Sequence, residues 1–315
     1  MKPSVLLLET IAPPADTWLR ERASVVFADS PKSGLDYVND GPIQAIVTRG
    51  KGQVNAALID ACEGLRVIAR CGVGLDNVDV AHATSRGVAV VNAPGVNAAT
   101  VAEHALTFML SLQRKLVTST QAVLEGQWSY RTSYDGDDVR GKQLGIMGMG
   151  DIGQRVARLG EAFGMEICYW DAWAKDVPYQ QLELEALVET SHFITLHLPL
   201  TAETRNLLTL ELLATAKNHP ILINTARGGI VADAVVLEAL KKGYLSGFGA
   251  DVLEVSPPPT DYELLTLDNV LVTPHAASLT KTTYEDLCMV SVKNAIGLLA
   301  GEEINPRFIF NKDQF

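Results

Sequence analysis

Residues 144–153 read Leu144-Gly145-Ile146-Met147-Gly148-Met149-Gly150-Asp151-Ile152-Gly153. An apolar run typical of a buried strand leads into a G-x-G-x-x-G pattern, and a helical pattern follows without a break. In such a turn Gly148 permits the tight bend and Gly150 lets backbone N–H groups approach a diphosphate. Gly153 lets the helix pack closely on the strand, with its N-terminus facing the anion. The pattern alone also fits a plain glycine-rich turn.

The residues after the glycine turn favour the first interpretation. The helix is expected to end near Gly164, and a predicted strand, Glu166–Trp170, leads to Asp171, 18 residues after Gly153. An acidic side chain at about this distance hydrogen-bonds the ribose hydroxyls of a dinucleotide. Its charge would repel a 2′-phosphate, and no Arg follows at once to receive one. The segment therefore predicts a nicotinamide-dinucleotide site that favours NAD over NADP.

Short apolar, β-branched runs alternate with helical patterns over nearly the whole chain, which predicts an α/β fold with parallel sheets covered on both faces. Five predicted strands precede a long helix that begins near Thr100, and six follow it. This favours two doubly wound sheets over one sheet of eleven strands. The predicted strands are Val5–Leu8, Val25–Phe27, Ala45–Thr48, Val67–Arg70, Val88–Asn92, Leu144–Met147, Ile167–Asp171, Phe193–His197, Ile221–Asn224, Gly247–Asp251 and Val270–Thr273.

Two further segments bear on the organisation of the chain. The aromatic and charged stretch 126–141 is expected to cross the surface between the two domains. The last helix, roughly Thr280 to Ala300, follows the second predicted sheet and could pack on either domain.

Composition excludes several classes of protein. The chain has 315 residues, enough for two domains, and a net charge of -11, which argues against a surface for nucleic acid or anionic lipid. The first residues resemble neither a signal peptide nor a membrane span. The four cysteines include no C-x-x-C pair, so we expect no disulfide framework and no metal site. They are expected to be core residues of a cytoplasmic protein. Cys71 is the candidate for a reactive thiol, because a glycine-rich turn follows it.

Three later segments make the prediction more specific. They read Asn224-Thr225-Ala226-Arg227-Gly228-Gly229-Ile230-Val231, Ala250-Asp251-Val252-Leu253-Glu254 and Thr273-Pro274-His275-Ala276-Ala277-Ser278. Their order and spacing after the glycine turn resemble the D-isomer-specific 2-hydroxyacid dehydrogenases, which include 3-phosphoglycerate, glyoxylate/hydroxypyruvate and D-lactate dehydrogenases. The likeness runs from about Val5 to Leu299 and takes in the segments 70–77 and 100–104.

The resemblance implies an NAD-dependent oxidoreductase that transfers a hydride between the nicotinamide and C2 of a small 2-oxo acid or D-2-hydroxy acid. It implies a flavodoxin-like substrate domain, residues 1–98 plus 283–315, into which a Rossmann NAD-binding domain, residues 99–282, is inserted. It also implies a homodimer, with much of the contact around the helix after Thr100.

Reduction of a 2-oxo acid requires a group that binds the carboxylate, an electrophile for the carbonyl oxygen and a proton donor. The planar guanidinium of Arg227 suits the first two tasks. His275 suits the third, because imidazolium gives a proton to the developing alkoxide and imidazole takes it back in oxidation. Among the other histidines, His104 and His197 lie in apolar segments and are expected in the core or the cofactor pocket. The resemblance singles out His275.

The resemblance also assigns the remaining contacts. Backbone N–H groups of Gly72 and Val73 are expected to complete the carboxylate site. For the cofactor, the matching positions are Asp151 and Ile152 at the diphosphate, Leu198 and Pro199 near the adenosine half, and Thr225, Ala226 and Asp251 toward the nicotinamide. Asp251 is expected to hold the carboxamide of the nicotinamide.

One position departs from the family pattern. The family usually has a Glu five residues after the motif Asp, where it orients the catalytic His and raises its pKa, but this chain has Ser256 there. Glu254 could substitute only if the chain shifts locally, because Pro257 favours an extended backbone at Ser256. We expect Ser256 to hydrogen-bond His275 without supplying charge. Loss of the carboxylate predicts a reduction rate that declines at lower pH than in relatives with Glu. A degenerate, inactive site is the alternative.

Two questions stay open at the level of sequence. Arg49 and Arg131 are extra cations that either meet a second anionic group of the substrate, such as the phosphate of 3-phosphohydroxypyruvate, or lie on the surface in water. The alternative function is an NAD(H)-sensing binding protein of the corepressor type, with little or no turnover.

Overall fold

The structure is a computed structural model that describes residues 2–28 and 34–314. The chain divides into two compact units: unit 1 comprises Met1–Asn97 and Leu279–Phe315, and unit 2 comprises Ala98–Ser278. The expected domain bounds lay at 98/99 and 282/283. The stretch 126–141 lies wholly inside unit 2, so the expectation that it runs between the two domains is wrong. Its lack of periodicity reflects a surface excursion of one unit, with a 3-10 turn at Trp128–Thr132.

Unit 1 is built on a five-stranded parallel sheet. Its strands are β1 (Ser4–Leu7), β2 (Ser24–Phe27), β3 (Ala45–Thr48), β4 (Val67–Arg70) and β5 (Ala89–Val91). The order β2-β1-β3-β4-β5 is that of flavodoxin-like folds, as predicted. The helices are α1 (Pro13–Arg22), α2 (Ala56–Ala61) and α3 (Val80–Ser85), joined by a 3-10 helix at Gly34–Asp40 and by the C-terminal helix, Lys281–Ala300.

Both faces of the unit 1 sheet are buried, because successive side chains along each strand enter different apolar clusters. Val5 and Leu7 pack with residues of the C-terminal helix, such as Val292, whereas Leu6 and Ile46 pack in the cluster on the opposite face. The C-terminal helix therefore belongs to unit 1. Its 3.6-residue period is compatible with either sheet, so the sequence left its place open.

Unit 2 is built on a seven-stranded parallel sheet in the order β12-β11-β10-β9-β6-β7-β8. The strands are β6 (Gln143–Met147), β7 (Glu166–Trp170), β8 (Gln180–Gln181), β9 (Phe193–Leu196), β10 (Ile221–Asn224), β11 (Gly247–Ala250) and β12 (Val270–Val272). The helices are α4 (Ala98–Gln113), α5 (Leu116–Leu124), α6 (Asp151–Ala162), α7 (Leu184–Thr190), α8 (Leu210–Leu213) and α9 (Asp233–Lys241), so that the C-terminal helix is α10.

The prediction of six strands here missed β8. This strand consists of two exposed glutamines at the edge of the sheet. It contains no apolar or β-branched residue that would predict a strand. The other strands were found, and the predicted bounds Ala45–Thr48, Val67–Arg70 and Ile221–Asn224 are those observed. The two α/β units with parallel sheets confirm the predicted fold class.

The strand order of unit 2 positions its site. The chain runs from β6 outward to β8, returns to pair β9 with β6, and then continues to β12 in the other direction. Open α/β sheets bind ligands beyond the carboxyl ends of their strands at such a reversal. No helix within residues 2–28 and 34–314 is both long and apolar enough to cross a bilayer.

Candidate functional site

The glycine turn after β6 has the three properties that its sequence predicts. Gly148 has φ 97°, and a Cβ there would lie 2.6 Å from the carbonyl oxygen of His197. A Cβ on Gly153 would overlap the carbonyl of Gly148. At Gly150, by contrast, a Cβ would meet no atom of the described chain within 4 Å. Two glycines are therefore required by the packing of the protein itself, and the third faces open space.

Helix α6 begins immediately beyond Gly150, with Asp151 exposed and Ile152 half-buried in its first turn. The N-cap residue, Gly150, has no side chain that could cap the first N–H groups of the helix. These N–H groups and the positive end of the helix dipole favour an anion at this position. The space over Gly150 is thus suited to a diphosphate.

Asp171, at the end of β7, supports the same turn. Its carboxylate accepts hydrogen bonds from the backbone N–H of Met149 at 2.9 Å and of Trp173 at 3.2 Å. The ammonium of Lys175 lies 3.4 Å from Oδ1 of this carboxylate. No Arg directly follows Asp171, but this Lys four residues further along places a cation beside the carboxylate.

Two buried polar atoms at the carboxyl ends of β9 and β10 lack a hydrogen-bond partner among the described residues: Nδ1 of His197 and Oγ1 of Thr225. Nε2 of His197 lies 2.9 Å from the hydroxyl of Thr195. Burial lowers the pKa of His197 to about 3, so this side chain stays neutral and is no proton donor at neutral pH. Buried polar atoms normally have partners. These two, together with the space over Gly150, fit a polar ligand that lies along the sheet edge.

The loop after β9 carries Leu198, which is half-buried, and Pro199, which is exposed. The hydroxyl of Thr204 donates to the carbonyl of Pro199 at 2.7 Å. This bond fixes the loop where the adenosine half of a dinucleotide is expected.

Arg227 lies in a tight loop after β10. The side chain of Asn224 braces this loop: its Oδ1 accepts the N–H of Ala226 at 3.0 Å, and its Nδ2 donates to the carbonyl of Arg227 at 2.9 Å. Nη1 of Arg227 donates to the carbonyl of Ala226 at 2.7 Å. A Cβ on Gly228 would overlap the backbone of Leu253, so the loop approaches the segment after β11 as closely as a glycine allows. The half-buried guanidinium is therefore anchored by its own loop.

His275 lies in a turn after β12 that the carboxylate of Asp251 holds in place. This carboxylate is buried, with 2% of Asp251 exposed, and it accepts the N–H groups of Ala276 at 2.7 Å and Ala277 at 2.9 Å. It also accepts the hydroxyl of Thr273. The N–H of His275 donates to the carbonyl of Asp251 at 3.0 Å, and the residue has φ 55°, a conformation that a histidine adopts only when its surroundings enforce it. The imidazole is exposed.

These bonds give Asp251 a task that the resemblance did not predict. Three donors of its own chain take most of the roughly four acceptor sites of a carboxylate. The hydroxyl of Thr273, having given its hydrogen to Asp251, accepts from Nε2 of His104 at 2.9 Å. Asp251 thus positions the turn that carries His275, and little of its surface remains for the carboxamide of a nicotinamide.

Glu254 and Ser256 follow β11. Oε2 of Glu254 accepts the N–H of Asp233 at 2.7 Å, and the N–H of Glu254 donates to the carboxylate of Asp233 at 3.0 Å. Burial, only partly offset by its hydrogen bond from Tyr262, raises the pKa of Asp233. Glu254 therefore has a structural task at the start of α9. Ser256 is exposed on the same loop.

The predicted substrate residues of unit 1 lie after β3 and β4. The carbonyl of Gly72 accepts the N–H of Ala93 at 2.8 Å, and Nδ2 of Asn92 donates to the carbonyl of Val73 at 2.7 Å. Their turn is therefore fixed from the segment after β5. A Cβ on Gly72 would overlap the guanidinium of Arg70, so the end of that side chain packs directly on the glycine.

Arg49 belongs to unit 1, and Arg131, which is exposed on the 3-10 turn Trp128–Thr132, belongs to unit 2. The four cysteines are buried, as predicted. Cys71 lies against Cys288, and this contact, together with burial, raises its pKa well above the ordinary value. Its thiol is therefore protonated and unreactive.

Comparisons with known proteins place the chain among a family of dehydrogenases. The family model of the D-isomer specific 2-hydroxyacid dehydrogenase NAD binding domain matches residues 106–277. The hydroxypyruvate reductase of Thermotoga maritima is 40% identical over 243 residues, which are 76% of this chain and 79% of that protein. The D-3-phosphoglycerate dehydrogenase of Archaeoglobus fulgidus is 35% identical over 303 residues, 94% of this chain, but this chain spans only 57% of that protein.

A solved structure is similar over the whole chain. It is the NADPH-dependent glyoxylate/hydroxypyruvate reductase of Sinorhizobium meliloti in complex with NADP and malonate, with a TM-score of 0.90 and 28% identity, covering 100% of this chain and 98% of that one.

Proposed function

The chain belongs to the D-isomer-specific 2-hydroxyacid dehydrogenase family, and from that premise we propose that it reduces a small 2-oxo acid to its D-2-hydroxy acid with a nicotinamide cofactor, and catalyses the reverse. One observation carries the proposal. Arg227 follows β10 and His275 follows β12, the two neighbours of β11. Both therefore lie at the carboxyl ends of the strands, as the open glycine turn does. Strands two apart in a sheet are about 10 Å from each other, which leaves room for a small acid between the two side chains.

In the proposed cofactor site, the first turn of α6 with Gly150, Asp151 and Ile152 binds the diphosphate. Asp171 binds the adenosine ribose, and Leu198 and Pro199 line the adenine. Thr225, Ala226 and Asp251 lie toward the nicotinamide. The hydroxyl of Thr225, which has no hydrogen-bond partner within the described part of the chain, is the best-suited donor there. When bound, the cofactor supplies or accepts the hydride.

We assign NAD rather than NADP. The solved relative from Sinorhizobium meliloti contains NADP, so the family alone leaves the choice open. Asp171 supports NAD, because its carboxylate is fixed by two backbone N–H groups at the end of β7, where it would repel a 2′-phosphate. Lys175 offsets part of that charge, and the preference is therefore expected to be moderate.

The protein's part of the chemistry is to hold the acid and to move one proton. Arg227 binds the substrate carboxylate through its guanidinium fork and polarises the adjacent carbonyl oxygen. The imidazolium of His275 donates its Nε2 or Nδ1 proton to the oxygen that becomes the hydroxyl, and in oxidation the neutral imidazole removes it. The backbone N–H groups of Gly72 and Val73 in unit 1 are proposed to complete the carboxylate site.

Ser256 is proposed as the neutral partner of His275. The occupation of the Glu254 carboxylate at the start of α9 supports Ser256 over Glu254. Ser256 carries no charge and stabilises the imidazolium less than a Glu does, so we expect His275 to lose its proton at lower pH than in family members that have Glu.

Hydroxypyruvate, glyoxylate and 3-phosphohydroxypyruvate are the proposed substrates, on the strength of the related enzymes' names. We further propose a homodimer in the cytoplasm. Leu124 in helix α5 is 76% exposed, and Trp128 in the turn after it is 70% exposed. A second copy of this chain would cover such an apolar face. The buried, unpaired cysteines suit a reducing compartment.

The test is NADH oxidation with a panel of glyoxylate, hydroxypyruvate, pyruvate, phenylpyruvate and 3-phosphohydroxypyruvate. Turnover with at least one of them is expected. NADH binding without turnover on any would contradict the proposal and favour the sensor alternative. If Arg49→Ala changes KM equally for phosphorylated and plain 2-oxo acids, Arg49 does not bind a substrate phosphate.

A further inference from the structure

The carboxylate of Glu9, which follows β1, is enclosed by a loop of the chain's own backbone. Only 6% of Glu9 is exposed. Its Oε1 accepts the four consecutive backbone N–H groups of residues 49–52 at 2.7–2.9 Å, and the hydroxyl of Thr48 at 3.0 Å. Successive N–H groups that converge on one point form an anion-binding nest. Here the anion is a side chain of the protein.

The loop of residues 48–52 is braced on its other side as well. Nδ2 of the buried Asn77 donates to the carbonyl of Gly52 at 2.6 Å and to the hydroxyl of Thr48 at 3.1 Å. A Cβ on Gly52 would lie 2.7 Å from Cβ of Leu8, so the loop closes around Glu9 only with glycine at this position. The conformation of the loop is therefore determined by Glu9 and Asn77 together.

The loop presents Arg49 in one orientation. Nε of Arg49 lies 3.8 Å from Oε2 of Glu9, and Nη1 donates to the hydroxyl of Tyr284 at 3.0 Å. The hydroxyl of Tyr284 in turn donates to the carbonyl of Thr10 at 3.3 Å. A third of the Arg49 side chain, 33%, remains exposed. The guanidinium is thus fixed by its neighbours and still accessible to a ligand.

The cluster of Glu9, Arg49 and Tyr284 lies where a parallel sheet usually binds its ligand. Strands β1 and β3 are neighbours, and the order of the unit 1 sheet reverses between them. The loops after their carboxyl ends occupy the place where open α/β sheets bind ligands. A buried carboxylate carries a desolvation penalty that only good hydrogen bonds offset. Burial acts to raise the pKa of Glu9, but the bonds from Gly52, Gly50 and Arg49 outweigh it and the pKa is lowered.

We propose that Glu9 is a positioning residue, which fills the nest of residues 49–52 and thereby holds Arg49 where it meets an anionic group of the substrate. Because Glu9 fills the nest, the substrate cannot bind there. The guanidinium of Arg49 is then the group that binds an anion where the strand order of unit 1 reverses. The inference deepens the proposed function and rests on it.

A double-mutant cycle with Glu9→Gln and Arg49→Ala tests the proposal. The amide oxygen of Gln keeps an acceptor in the nest but removes the charge, so the variant is expected to fold. Glu9→Gln is expected to raise KM for the 2-oxo acid on the order of 5- to 10-fold, with kcat within about twofold and KM for NADH unchanged. In the Arg49→Ala background the same substitution is expected to have almost no further effect on KM, because residues that act through one another are not additive.

The matched control is Glu63→Gln, which removes an exposed carboxylate of the same unit and is expected to change neither KM. The proposal is overturned if Glu9→Gln multiplies KM by the same factor with and without Arg49, or if it lowers stability and leaves KM unchanged. Both results would make Glu9 a structural residue only.

Amide hydrogen exchange separates this inference from the proposed function. If the wild type turns over no 2-oxo acid, the proposed function fails. The positioning of the loop is then still measurable, since Glu9→Gln is expected to speed exchange at residues 49–52 at least tenfold and to leave β4 unchanged. Unaltered exchange at residues 49–52 would overturn the inference independently of any activity.

Discussion

The two sheets each gather backbone N–H groups at the point where their strand order reverses, and they differ in what those groups face. In unit 1 four N–H groups of residues 49–52 converge on the carboxylate of Glu9. In unit 2 the first turn of α6 faces open space over Gly150. The same backbone chemistry thus serves an internal anion in one unit and is left available to a ligand in the other. A nest is a binding site only where the protein itself leaves it empty.

The largest expected effect comes from filling the open nest. Gly150 has an extended backbone that accepts any residue, and its Cβ position is free, so Gly150→Val is expected to fold with a Tm within about 2 °C of the wild type. The added side chain would occupy the diphosphate position and raise the Kd for NADH on the order of 100-fold or more. Fluorescence titration with NADH measures this.

The control for Gly150→Val is Gly52→Ala, which adds a Cβ in the filled nest of unit 1. This Cβ would overlap Leu8 and Thr48. That variant is expected to lose stability and to keep its affinity for NADH. If Gly150→Val binds NADH as the wild type does, the open nest is not the cofactor site.

The filled nest predicts a pH-dependent stability. The pKa of Glu9 is lowered in the folded protein, so its contribution to the free energy of unfolding is fully present above the unfolded-state pKa and is lost as the pH falls through the folded-state value. Glu9→Gln is expected to lower Tm on the order of 5 °C at pH 7 and progressively less toward pH 3. A Tm difference that stays constant over this range would show that charge plays no part in the nest.

A smaller effect is expected from the ribose site. Asp171→Ala removes the carboxylate and leaves Lys175 beside the ribose, so the affinity for NADH is expected to fall about tenfold while that for NADPH rises or holds. The ratio of the two Kd values is the measurement. Asp176→Ala, an exposed carboxylate nearby, is the control that should leave the ratio unchanged. An unaltered ratio in Asp171→Ala would remove Asp171 from the cofactor site.

The smallest predicted effect concerns Ser256. Ser256→Glu restores the family carboxylate and is expected to raise the pKa of His275, so that the reduction rate persists to higher pH. Because Ser256 is exposed, solvent screening limits the expected upward shift of the midpoint to about 1 pH unit. Gln has nearly the same shape as Glu but no charge, so Ser256→Gln should leave the midpoint of the pH profile unchanged. Identical midpoints in all three proteins would separate Ser256 from His275.

The sequence predicted local features well and long-range ones poorly. The glycine turn, the strand that ends at Asp171 and the apolar strands of both sheets follow from spacing and periodicity within about twenty residues. The edge strand β8 was missed because its two glutamines carry no strand signal, and the place of α10 could not be decided from its period.

The supporting contacts of the site were also out of reach of the sequence. The nest around Glu9 joins residues 40 to 43 positions apart, and the hydrogen bonds of Asp251 with Ala276 and Ala277 join residues 25 and 26 apart. Nothing in either segment announces its partner. Asp251 was recognised by its motif and expected to bind the carboxamide of the cofactor. Its three intrachain hydrogen bonds became visible only in the folded chain.

The proposed catalysis depends on His275, which Asp251 holds in the turn after β12 and which supplies the proton to the substrate oxygen. Single-turnover oxidation of bound NADH by a 2-oxo acid, compared between the wild type and His275→Gln over pH 5–9, tests it most directly. We expect a rate loss of about 10²–10⁴-fold with no remaining pH dependence and an unchanged Kd for NADH. A His275→Gln variant that keeps the wild-type rate and pH profile would contradict it.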